Sequence, residues 1–75
     1  MQRIPVRFSG MEQIIQFVEA INKFDYHCDL RCGRYFVDAK SLMGVITLQG
    51  SSNVELVVHA DKADALMERI SKYCC

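Results

Sequence analysis

The 75 residues are 51% apolar, enough for one compact core but not for a deep, enzyme-sized cleft beside it, since a chain this short buries only about 60% of its unfolded surface. Nine basic residues balance nine acidic ones, which excludes the positive field that phosphate contacts to nucleic acid require and leaves no acidic tail. With no apolar run of the roughly 18 residues a membrane span needs and no hydrophobic signal core in MQRIPVRFSG, the expectation is a single domain, residues 1–75, soluble and cytoplasmic.

RIPVRFSG is β-branched and aromatic and stops at Ser-Gly, which predicts a first strand. Pro5 assigns it to an edge or a terminal position. From Met11 the period changes. Met11, Ile14, Ile15, Val18 and Ile21 recur at helical spacing, with Glu12, Gln13, Gln16, Glu19 and Asn22 on the opposite side. Ser9 and Glu12 have the spacing of a capping box at that helix's start.

DYHCDLRC alternates. Tyr26, Cys28, Leu30 and Cys32 fall on one face of a second strand, and His27, Asp29 and Arg31 on the other. Gly33-Arg34 punctuates a hairpin, and YFVDA continues as a third strand. A short helix is expected from Ser41 to about Leu48, then a polar turn, QGSSN, and a fourth strand, VELVVHA. Ala63, Leu66, Met67, Ile70 and Tyr73 mark a last amphipathic helix, with Asp61 as its expected cap. One-sided strands with amphipathic helices imply an α+β fold. It is an open-faced two-layer sandwich, a four-stranded antiparallel sheet with three helices on one face, in the order βαββαβα.

The four cysteines do not read as a disulfide framework. Cys28 and Cys32 share a strand face but stand roughly 13 Å apart by strand geometry, too far for a bond or a shared metal ion. Cys74 and Cys75 are adjacent at an end expected to fray. All four are taken as reduced thiols, and no metal or cofactor site is assigned.

The stretch VDAKSLMGVITL, residues 37–48, resembles the region around the regulatory serine of the HPr family, the histidine-containing phosphocarriers of the bacterial sugar phosphotransferase system. FVEAINKFDYHCDLRCGRYFVDAKSLMGVITL is similar to that family's first helix through its short second helix. NVELVVHADKADALMERI is similar to its last strand and last helix. The resemblance implies a carrier, not an enzyme, whose histidine opens the first helix in a Gly-x-His-x-Arg-Pro setting. Here the ungapped count back from the matching serine puts Gly10 at the histidine's place and Glu12 and Gln13 at those of the arginine and proline. A carboxylate there repels a phosphoryl group where a guanidinium would hold it. Of the two histidines in the chain, His27 is expected on the open face of the second strand and His59 near the end of the fourth. Both read as partly exposed strand histidines, because neither opens a helix.

Ser41 has two readings. Its hydroxyl can cap the short helix and nothing more. Phosphorylation would instead place about −1.5 to −2 charges beside the N–H groups of the first turn, opposed by Asp38 three residues earlier. Lys40, Leu42, Met43 and Val45 complete the expected partner surface. Leu42, Met43 and Val45 cannot all be buried on so short a helix, and methionine adapts to partner surfaces. Gly44, costly inside a helix by up to about 1 kcal/mol, points to a close approach there or a strained helix. The resemblance implies a serine kinase and a LacI-type transcriptional regulator as protein partners. Some relatives that lack the histidine act in carbon catabolite regulation through the serine alone. The alternative is an interaction module of the same fold without phosphorylation, with His27, Asp29 and Arg31 on the open sheet face. A phosphopantetheine-bearing serine is disfavoured, because Lys40 precedes Ser41 and strands surround it.

Overall fold

The computed structural model describes residues 1–74. Strands β1 (Gln2–Val6), β2 (Cys28–Cys32), β3 (Tyr35–Asp38) and β4 (Val54–Val58) form one antiparallel sheet in the order β1-β4-β2-β3. Helices α1 (Met11–Ile21), α2 (Leu42–Ile46) and α3 (Asp64–Arg69) complete the α+β architecture, followed by a 3-10 turn over Ser71–Tyr73. Element order and open-faced sheet match the expectation from the sequence. Pro5 lies on edge strand β1, opposite Glu55 of β4. Gly33 takes φ 62° in the hairpin that pairs Cys32 with Tyr35, a backbone value that residues with a Cβ adopt at a cost.

Alternation decides which sheet face is covered. Cys28 and Leu30 of β2 and Leu56 and Val58 of β4 are buried at 0–1% exposure, all pointing toward the helices. Asp29, Arg31 and Glu55 take the other face. From α1 the core receives Ile14, Phe17, Val18, Ala20 and Ile21. Phe17 is fully buried, its ring edge-on to Phe8 at 4.9 Å and to Tyr73 at 5.4 Å. Those two rings turn the buried stripe of α1 toward Phe17. Met11 and Ile15, expected in the core, fall at its edge and are 37% and 38% exposed.

Three terminal details differ from expectation. The N-cap of α1 is Gly10, without a side-chain cap bond, and the N–H of Ser9 donates to Gln13 Oε1 at 2.8 Å. A glutamine one position further on thus serves the role expected of Glu12. α3 begins after Ala63 with no side-chain cap; the Asp61 carbonyl instead accepts from Gln2 Nε2 at 2.9 Å. The C-terminal end is pinned rather than frayed. Arg7 N–H donates to the Tyr73 carbonyl at 2.8 Å, and Cys74 forms a β-bridge with Val6. Cys75, the other terminal thiol, lies outside the described residues.

Candidate functional site

The loop into α2 is built by backbone and side-chain bonds that leave few degrees of freedom. Asp38 closes a turn: its Oδ1 accepts Lys40 N–H at 2.9 Å, and its carbonyl accepts Ser41 N–H at 3.0 Å. Ala39 between them is fully buried and donates its N–H to Cys28. Ser41 then sits in extended backbone, φ −99° and ψ 110°, as the N-cap of α2. Its Oγ accepts Gly44 N–H at 3.3 Å, the cap geometry of a serine at this position. Ser41 as a residue is half-buried, and the bond to Gly44 holds its hydroxyl in a fixed place.

The expected partner residues separate into distinct environments. Met43 is 78% exposed and Leu42 37%, both projecting from the outer side of α2. Val45, expected at the same surface, is fully buried in the core, because a five-residue helix must turn one apolar side inward to be held. Lys40 is half-buried. Its Nζ donates to the Phe24 carbonyl at 2.6 Å, and its own carbonyl accepts from Asn22 Nδ2 at 3.1 Å. Lys40 therefore ties the entry of α2 to the end of α1. Gly44 answers to a close approach within the fold: a Cβ built on it would stand 3.3 Å from Val37 Cβ of β3.

At the other candidate place, Gly10 opens α1 in fully extended backbone, φ 172°, and a Cβ there would meet nothing within 4 Å. It borders a shallow cavity of about 150 Å³ shared with Arg7, Gln49 and Ser51. Glu12 is exposed in the first turn. Neither histidine is near a helix start in the chain. His27 and His59 flank Asp29 on the open sheet face, with His59 Nε2 2.9 Å and His27 Nε2 3.8 Å from Asp29 Oδ2. The sequence reading placed His27 and Asp29 on one face but did not bring His59 to them. That juxtaposition needs the β2–β4 register, which local pattern does not carry.

Cys28 is buried, and burial pushes its thiol above the ordinary range; Lys40 lowers it, and Asp29 and Asp38 raise it further. A protonated, enclosed thiol is a packing group and not a nucleophile. No helix among the described residues is long and apolar enough to cross a membrane.

A family model described as the phosphorylation site of the phosphotransferase-system HPr component matches residues 12–74. No curated protein matches the chain. Among solved structures, HPr from Bacillus anthracis superposes with a TM-score of 0.75 at 20% identity, covering 99% of this chain and 94% of its own. HPr-C-His from Thermoanaerobacter tengcongensis gives 0.74 at 22% identity, with 96% and 89% covered. Crh, the catabolite repression containing protein of Bacillus subtilis, gives 0.68 at 23% identity, with 97% and 85% covered. At these identities the likeness is one of fold.

Proposed function

The chain belongs to the HPr family of phosphotransferase-system phosphocarriers, and from that premise we propose that it is a regulatory member acting through Ser41, without phosphotransfer on histidine. It works as one non-enzymatic domain in the cytoplasm. The observation that carries this reading is the contrast between the two family sites. Ser41, a half-buried residue, holds its hydroxyl in a fixed place beside Leu42 and the 78% exposed Met43, whereas the start of α1 offers Gly10 and Glu12 at the places that the resemblance gives to an imidazole and a guanidinium.

Phosphate on Ser41 would replace one cap acceptor with several stronger ones beside the Gly44 N–H and would add charge next to an apolar contact surface. Such a change distinguishes two partners. A serine kinase writes the phosphate, and a LacI-type transcriptional regulator reads the altered face of Leu42 and Met43.

A second reading rests on the same bond. Because Ser41 Oγ is already engaged by Gly44 N–H, Ser41 serves as a cap alone, and the chain is an unphosphorylated interaction module. Incubation with the phosphotransferase system's first enzyme and phosphoenolpyruvate separates carrier from non-carrier. The proposal expects no acid-labile phosphate on the protein, and its appearance on His27 or His59 would overturn it.

A further inference from the structure

The open face of the sheet carries a group of ligands that the phosphoserine reading does not use. We propose that His27, Asp29 and His59 form a binding site for a divalent transition-metal ion of the zinc class, with the remaining coordination left to water or a partner's side chain.

The register builds the site. Cys28 pairs with Val58 and Asp29 with Val57 across β2 and β4. One step further out, His59 N–H donates to the His27 carbonyl at 2.9 Å. His27 and His59 are therefore direct cross-strand neighbours, and Asp29 lies two residues along from His27 on the same face. The two imidazole rings are 5.1 Å apart at their centroids. One ligand atom from each of the three residues lies within 4.8 Å of the others.

These separations suit one ion. Zinc bound at about 2.0–2.1 Å in tetrahedral geometry holds its ligand atoms about 3.3–3.5 Å apart. The observed 2.9 Å from His59 to Asp29 and 3.8 Å from His27 to Asp29 bracket that span, so small rotations of the side chains close the site. Two imidazoles and one carboxylate form the donor set of zinc, cobalt or nickel rather than of calcium or magnesium, which take oxygen.

The support is stiff on one side and open on the other. Asp29 is paired on both flanks, with Asp38 of β3 and Val57 of β4, and its side chain is 24% exposed. The His27 side chain is 73% exposed, which leaves an approach for the ion. Asp38 is cross-strand from Asp29 and adds negative charge. Of the cations on this face, Arg31 donates its Nε–H to the Gly33 carbonyl at 3.3 Å, and Arg3 stands in the same cross-strand row as Asp29 but beyond Val57, two strands away.

The test uses the untagged, reduced chain of 75 residues. Titration with Zn(II) by calorimetry is expected to give one ion per chain. Co(II) is expected to give visible d–d bands without the near-ultraviolet absorption of a thiolate ligand. His27→Gln and His59→Gln should each weaken binding at least tenfold, while Cys32→Ser leaves it unchanged. Because His27 is largely exposed, its variant keeps the fold, which circular dichroism verifies. Absence of binding, thiolate bands from Co(II), or equal affinity in the His27→Gln/His59→Gln double variant would each overturn the proposal.

Discussion

Ser41 Oγ and the Gly44 backbone N–H stand 3.3 Å apart, so the hydroxyl proposed as the phosphosite is the same one that caps α2. The cap and the proposed regulatory role would thus share an atom, and substitutions can separate them. Ser41→Ala removes the acceptor and should lower stability by about 1 kcal/mol, the ordinary cost of losing a serine N-cap. Ser41→Asp retains an acceptor and should stay near the parent. Urea unfolding of the three proteins checks this; equal loss in both variants would show that the cap does not set the effect.

Gly44 marks where α2 meets the sheet. Alanine there gains helix propensity, up to about 1 kcal/mol, against a Cβ placed 3.3 Å from Val37 Cβ. The two effects oppose each other, so Gly44→Ala should change stability little. Gly44→Val carries two more carbons into the same contact and should destabilise by about 1–3 kcal/mol. Thermal unfolding of both variants reads the difference.

Neighbouring residues on α2 should behave oppositely. Met43 is 78% exposed and Val45 fully buried. Met43→Asp should shift stability by no more than about 0.5 kcal/mol, as surface changes do, while reducing binding to a transcriptional-regulator partner in a pull-down with purified protein. Val45→Ala removes buried carbon and should cost about 2 kcal/mol, within the range for core truncations. Full binding by Met43→Asp would remove this surface from the proposed interface.

Cys28 supplies a pH dependence. Its thiol is raised in the folded state, chiefly by burial, so between the unfolded value, about 8.5, and the higher folded one the native chain holds a proton that the unfolded chain has released. Stability therefore falls as pH rises through that window and is unaffected by this group below it. Cys28→Ala should flatten the alkaline decline in denaturant midpoint. Cys28 should also resist a thiol reagent at pH 8 until urea unfolds the chain.

Much of the fold was legible because it is written in short-range periods. The alternation of Tyr26 to Cys32, the Gly33-Arg34 hairpin and the Ser41 cap all depend on residues within a few positions of each other. What escaped depends on contacts between distant segments. Phe17 is central because Phe8 and Tyr73 close around it from both ends of the chain. Lys40 is held by Phe24 and Asn22 of the preceding segment, which no local pattern announces. Val45 faces inward and Met43 outward on a helix too short for periodicity to fix its orientation. His59 reaches Asp29 only through strand register. The serine and its apolar neighbours were thus readable as a candidate site, while their division into anchored and exposed residues was not.

The most direct test of the central claim is phosphosite mapping by mass spectrometry after incubating the reduced 75-residue chain with an HPr-directed serine kinase and ATP. The account predicts a single acid-stable phosphate on Ser41, absent from Ser41→Ala. An unmodified protein, or phosphate on another residue with Ser41 untouched, would contradict it.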